Sequence, residues 1–212
     1  MKTLLFCTSY ADSKTAWNGR YKSWYDYYSN SKVNHDQIVI FDDASPVEPD
    51  FCKEGEYFRF SPHLGRQAHL DYGGWYRSFA MAAKYAQENG FDKIIHAESD
   101  AYLLSDKIID FVNSLNSGWH TFWCTRHNLH ESALQVICSD QIKAYRDFTD
   151  KPYDVYRHQL IDKIFPYTGI HTIFQGDRYG EYLDTIPSTA DFSCQTSVEM
   201  INGWKEKASL SK

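Results

Sequence analysis

The sequence predicts a mixed α/β fold: a mostly parallel sheet flanked by helices, with an antiparallel pair and a loop-rich C-terminal segment. Three observations predict it. Short, near-continuous apolar runs, at Leu4–Ser9, Gln37–Phe41 and Lys93–Ala97, alternate with stretches of helical periodicity, as happens where strands are buried on both faces. Each helical stretch carries a single apolar face. Carboxylates cluster where the apolar runs stop, Asp42-Asp43 after one and Glu98-Ser99-Asp100 after another. Strand ends of this kind are where ligands gather in open α/β sheets.

The elements follow in order. Leu4–Ser9 reads as the first buried strand. Trp17, Tyr21, Trp24, Tyr25 and Tyr28 then recur at the spacing of one helix face, giving a helix over about 16–29 with Asp12, Ser13 or Thr15 as caps. Gln37–Phe41 is a second strand and Tyr57–Phe60 a short third. Gly73–Asn89 forms a helix with Trp75, Phe79, Ala82 and Ala86 inward and Gly90 as its stop. Lys93–Ala97 is the next strand, and Ser105 caps a helix whose stripe is Ile108, Phe111, Val112 and Leu115. After residue 117 the pattern turns to alternation: Trp119–Thr125 and Ala133–Cys138 form an antiparallel pair across the polar loop Arg126–Ser132. Ser139-Asp140 caps a helix to about Phe148, and Pro152 leads a further helix from Tyr153 to Phe165. Residues 166–212, rich in Gly, Thr, Ser and Asp and of weak periodicity, read as a loop-rich segment.

Composition narrows the function classes. A chain of 212 residues fits one domain with a full core, or one domain plus a short C-terminal extension. A net charge of -6 argues against a nucleic-acid partner, whereas a single nucleotide held through a cation stays compatible. The aromatic content is 17%, with 16 Tyr and 6 Trp; most of these rings fill a core, and some can stack on sugars or bases. Five scattered cysteines without a C-x-x-C pair argue against a disulfide framework and a structural zinc site and suggest a reducing compartment. The apolar run at Leu4–Cys7 is too short for a signal peptide, and no segment has the length of a membrane span. The expected location is therefore cytoplasmic, with peripheral contact at the inner face of the membrane left open.

Each candidate site has a plain structural alternative. Glu98 and Asp100, two residues apart at a strand end, suit a hard divalent cation that neutralises a diphosphate; otherwise they are an acidic loop. Asp42 and Asp43 can accept hydrogen bonds from a base or ribose, but Asp-Ala-Ser-Pro is also good turn chemistry. Gly73-Gly74 opens a helix where a backbone can approach a ligand, and Arg77, one turn in, can meet a phosphate or the carboxylates of 98–100. The alternative is an ordinary helix start with a surface arginine.

Asp42-Asp43-Ala44-Ser45 after a strand, then Gly73/Gly74 with Arg77, Ala80 and Ala83, then an apolar strand closed by Glu98-Ser99-Asp100, resembles the nucleotide-sugar half of a GT-A glycosyltransferase. The resemblance covers residues 3–115; beyond 117 it is one of general layout. It implies one GT-A-like, Rossmann-like domain over 1–212, with 1–116 binding the nucleotide-sugar and 117–212 serving the acceptor. It implies a nucleoside-diphosphate-sugar donor, expected to be a UDP-sugar, a saccharide or glycolipid acceptor, and a divalent metal, Mn or Mg. The implied donor contacts are Ser9, Asp42, Asp43, Arg77, Glu98 and Ser99, and the implied metal ligands are Asp100 with Glu98. Glu98 stands where the family motif has its first Asp. In an inverting enzyme the attacking acceptor hydroxyl needs a carboxylate base, for which Glu131 and Asp154 are the candidates. Gly176–Glu181 is either a turn or a segment folded over donor or acceptor.

Two rival classes remain. His96-Ala97-Glu98 matches the H-x-E of zinc deaminases, but the second half, P-C-x-x-C, does not occur. A non-catalytic carbohydrate- or nucleotide-binding protein would use the aromatics for recognition alone.

Overall fold

The computed structural model describes residues 1–68 and 70–210. Its strands are Thr3–Ser9 (β1), Gln37–Asp42 (β2), Tyr57–Arg59 (β3), Lys93–Ala97 (β4), Tyr102–Leu103 (β5), Trp119–Cys124 (β6), Leu129–Cys138 (β7), Gly169–His171 (β8), Gly176–Asp177 (β9) and Phe192–Ser193 (β10). Seven of them form the main sheet in the order β3-β2-β1-β4-β7-β6-β8, and β5, β10 and β9 form a small second sheet. β1 runs parallel to β2 and to β4, and β3 extends the parallel set. β7 runs antiparallel to both β4 and β6, and β8 lies parallel to β6 at the edge. The carboxyl ends of β1, β2 and β4 therefore open on one side, as the sequence predicts for a mostly parallel sheet flanked by helices.

Burial on two faces explains the unbroken apolar strands. Every residue of β1 is buried. Leu5 and Cys7 pack on one face with Trp17, Trp24 and Tyr28, and Leu4 and Phe6 pack on the other with Phe79, Ala82 and Ala83. Full burial of a side chain such as Phe6 stabilises the fold by about 1.5–3 kcal/mol. The first helical segment is composite: α-helix Lys14–Ala16 (α1) passes through a π-helical turn, Trp17–Tyr21, into α-helix Lys22–Ser29 (α2). The second long helix, Gly73–Glu88 (α3), presents its alanines to the sheet, so that it packs closely. Asp106–Ser114 (α4) is capped by the Ser105 hydroxyl, which accepts from Ile108 N at 3.3 Å. Lys93, although it opens a core strand, is accounted for: its buried ammonium donates to Val112 O and Asn113 O at the end of α4. After the 3-10 turn Ser139–Gln141 comes Ile142–Thr149 (α5), and Val198–Leu210 (α6) closes the described chain.

Two expectations need correction. The helix expected over Tyr153–Phe165 is two 3-10 turns, Tyr153–Val155 and Ile161–Lys163. His158 stands between them at φ 67°, a left-handed conformation that no α-helix continues through. The hairpin loop is shorter than Arg126–Ser132 because β7 already pairs from Leu129, with Asn128 turning at φ 57°. The loop-rich segment after 166 also supplies the short strands β8, β9 and β10 and the helix α6, where Ser197 Oγ accepts from Met200 N and Ile201 is buried. Ser211 and Lys212 at its end lie outside the described residues. No helix among the described residues is long and apolar enough to cross a membrane.

Candidate functional site

The polar groups at the ends of β1, β2 and β4 surround a cavity of about 440 Å³, lined by Thr8, Ser9, Tyr10, Asp43, His63 and Ser99 among others. A second cavity, about 620 Å³, adjoins it on the side of β7 and holds Asp100, His127, Glu131, Asp162, Arg178 and Glu181. Arg20, Arg66, Tyr72, Trp75 and Glu98 line both. Glu98 is therefore the floor on which the two meet.

Glu98 is heavily engaged. Its carboxylate accepts from Thr8 Oγ1 (2.9 Å to each oxygen) and from Trp75 Nε1 at 2.6 Å, and it lies 2.7 Å from His96 Nε2. Burial opposes its charge, but the attraction of His96 and these hydrogen bonds outweigh burial and hold it ionised below the usual carboxylate range. His96 is itself fully buried and stacks on Phe6. Asp100 differs: burial pushes its carboxyl above the usual range, opposed by the Arg20 guanidinium. Arg20 Nη2 lies 2.8 Å from Asp100 Oδ2, and Arg20 Nε donates to Ser99 Oγ at 2.6 Å. Burial acts to lower the Arg20 pKa, yet the charge of Asp100 prevails and raises it. The pair joins the π-helical turn to the end of β4.

Asp42 and Asp43 divide the work at the end of β2. Asp42 is fully buried and holds the turn: it accepts from Ser9 Oγ, from Ser45 N and Oγ, and from Tyr57 OH. It lines neither cavity. Asp43 lines the first cavity and accepts from Gly65 N at 2.7 Å, while Arg77 forms an ion pair with it and His63 Nδ1 lies 3.0 Å from Oδ2. Gly74 is required here, because a Cβ on it would collide with the Asp43 carboxylate. Arg77, expected to reach a phosphate or the 98–100 carboxylates, is spent on Asp43 and Pro62 O instead and lines neither cavity. His63 stacks on Tyr10, ring centroids 4.0 Å apart, at the mouth of the first cavity.

Of the two carboxylates expected as bases, Glu131 borders the second cavity and Asp154 borders neither. Glu131 is 1% exposed and is gripped by Arg178 at 2.7 and 3.3 Å, with Ala133 N donating to it as well. Burial raises its pKa against the opposing charge of Arg178. Arg178 also approaches Asp162 Oδ1 at 3.4 Å. Gly176–Glu181 thus does fold onto the site, and Asp177 ties it to the hairpin turn by accepting from Arg126 N and His127 N. The Asp154 carboxylate is 79% exposed and pairs with Arg157.

Sequence reasoning passes over Arg20, gives Arg66 no role and takes Trp75 for core alone. The signal for Arg20 is a single cation set among the aromatics of one helix. Arg178 lies in the compact polar stretch Gly176–Glu181, but nothing in the sequence pairs it with Glu131, 47 residues away. Among the described residues no three His, Cys, Asp or Glu side chains converge to hold a metal ion, so a deaminase-type zinc site lacks its ligands. A hard cation is a different case: one carboxylate suffices where diphosphate oxygens and water complete the shell, and Asp100 can be that carboxylate.

Among solved structures similar to this chain is the crystal structure of a glycosyltransferase involved in the glycosylation of the major capsid of PBCV-1. The two are 12% identical with a TM-score of 0.53, over 97% of this chain and 100% of the other. At that identity the likeness is one of fold. No protein-family model and no curated protein sequence matches the chain.

Proposed function

We propose that this chain is a glycosyltransferase of GT-A type, acting as one domain, that moves a sugar from a nucleoside-diphosphate-sugar to a hydroxyl of a saccharide or glycolipid. The observation that carries the reading is the junction of two cavities at Glu98, with Asp100 on the side of the second, since a transferase must bring a donor and an acceptor to one point. The likeness of fold to a glycosyltransferase supports it. The first cavity takes the donor, a UDP-sugar in the first instance. Tyr10 and His63 offer aromatic faces for the base, and Ser9, Asp43 and Ser99 offer polar groups. The second cavity takes the acceptor, whose hydroxyls face Glu131, Asp162 and Glu181.

In the reaction the bond from the anomeric carbon to the diphosphate oxygen breaks, and its electron pair leaves with the diphosphate. The acceptor oxygen bonds to that carbon and gives up its proton to a carboxylate, for which Glu131 is our choice. Asp100, with Glu98 beside it, would hold Mn or Mg, which supplies positive charge to the departing diphosphate. Glu98, already bonded by Thr8, Trp75 and His96, fixes the floor; Asp100 is the ligand. Isothermal calorimetry with UDP-sugars, with and without manganese, tests the assignment. Asp100→Ala should abolish metal-dependent donor binding while the thermal unfolding profile persists; unchanged affinity in the variant overturns it.

A further inference from the structure

We infer that Arg20 is a further catalytic residue: its guanidinium contacts the diphosphate of the donor and stabilises the charge that develops as the nucleotide leaves. The inference rests on the reading of the site as a nucleotide-sugar transferase. Three observations carry it.

Arg20 lines both cavities, at the boundary where the bond between sugar and diphosphate would break. It is held there from two sides, by Ser99 Oγ on Nε and Asp100 Oδ2 on Nη2, so the planar group is oriented before any ligand arrives. Its third nitrogen, Nη1, takes part in neither bond, and half of the side chain (49%) is exposed. A guanidinium fixed at two nitrogens and open at its edge can receive phosphate oxygens at low entropic cost.

The backbone beneath it is unusual in a way that serves this end. Arg20 belongs to the π-helical turn Trp17–Tyr21, in which Lys22 N bonds to Trp17 O, five residues back. One extra residue in the turn rotates Arg20 relative to an uninterrupted helix, while Trp17, Trp24 and Tyr28 remain in the core. Such bulges cost hydrogen-bond geometry and concentrate at functional sites.

The charges nearby leave Arg20 available for a dianion. Asp43 is matched by Arg77, and Glu98 accepts from Thr8 Oγ1 and Trp75 Nε1, so the carboxylates of the first cavity have partners of their own. Arg66 lines the same boundary from the opposite loop, which adds a second guanidinium to the field that a diphosphate would enter. Asp100 would then be shared between Arg20 and the cation, and the leaving diphosphate would meet positive charge from both. The bond between the anomeric carbon and the diphosphate oxygen breaks, its electrons pass to the diphosphate, and Arg20 remains protonated throughout.

Calorimetry on the full chain tests this with UDP, GDP, dTDP and ADP, carrying forward the tightest together with its monophosphate, in EDTA and in manganese. Arg20→Gln should weaken the diphosphate about tenfold to a hundredfold in EDTA and leave the monophosphate nearly unchanged. Arg20→Lys should recover part of the loss. With a sugar donor and acceptor, kcat should fall while KM for the acceptor stays. If both nucleotides weaken equally, or if the diphosphate binds Arg20→Gln as tightly as the parent, Arg20 is a positioning residue and the inference fails. If the parent binds no nucleoside diphosphate, the transferase reading fails with it.

Discussion

Residues 1–116 and 117–210 furnish the two cavities by different means. In the first segment the polar groups sit at or just past strand ends: Thr8 and Ser9 on β1, Asp42 and Asp43 on β2, Glu98 and Asp100 on β4. Their partners come from neighbouring strands and from the helix packed beside them, as with Thr8 and Trp75 on Glu98. In the second segment the key carboxylate, Glu131, lies inside a strand, and its partner Arg178 arrives from a segment 47 residues away. A parallel sheet delivers side chains to one edge by topology alone, whereas the β7 side depends on an ion pair closed across the chain. The first arrangement is expected to tolerate the loss of a single bond better than the second, because Glu98 has several donors of different origin.

The largest expected effect therefore lies in the second segment. Glu131→Gln leaves Arg178 beside a neutral amide, with Asp162 at 3.4 Å and Glu181 at 3.7 Å as its remaining carboxylates, so the expected cost is about 3 kcal/mol, the low end of what breaking a buried pair at one end takes. Burial already works against the Glu131 charge, so the balance at this position depends on Arg178. Equilibrium unfolding in urea should show the loss as a lower midpoint with an unchanged slope. A variant as stable as the parent would mean that the second cavity is held by something other than this pair. It would also free Glu131 to be judged purely as the acceptor base.

This contrast also governs what could be read from the sequence. β1, β2 and β4 were legible because two-sided burial forces unbroken apolar runs, and the carboxylates that end those runs stand out against them. Trp75 was legible as an inward helix residue, but not as a hydrogen-bond donor, since a pattern reports which face a ring occupies and not what its nitrogen meets. β7 was read four residues short because His130, Glu131 and Ser132 look like loop. They are strand residues whose polar atoms are satisfied by Arg178 and by the Asp162 turn. The failed helix at Tyr153–Phe165 has the same root: its aromatics Tyr153, Tyr156 and Phe165 serve the core around Tyr76 and Phe79, and a left-handed His158 lets them reach it.

A smaller effect is expected in the first segment. Trp75→Phe keeps the ring stacked on Phe79, with centroids 4.8 Å apart, and removes only the Nε1 donor to Glu98. A lost hydrogen bond to a charged group is worth about 1.5–3 kcal/mol, and because Thr8 and His96 remain bonded to Glu98 the lower end is expected. Urea unfolding measures it on the same scale as Glu131→Gln. A loss as large as that of the buried pair would erase the distinction between the two segments.

The smallest effect is expected at Asp154. It was one of two carboxylates that the chemistry of an attacking hydroxyl called for, and only its neighbourhood separates it from Glu131. Its side chain is 79% exposed, its partner Arg157 is exposed too, and neither cavity reaches it. An exposed ion pair of this kind contributes about 0–1 kcal/mol. Asp154→Ala should leave both the unfolding midpoint and the rate of sugar transfer within about twofold of the parent. A collapse of kcat with intact stability would move the base out of the second cavity and onto the turn at Tyr153–Val155. The acceptor would then have to approach from outside the junction at Glu98, on which the proposed roles of the two cavities rest.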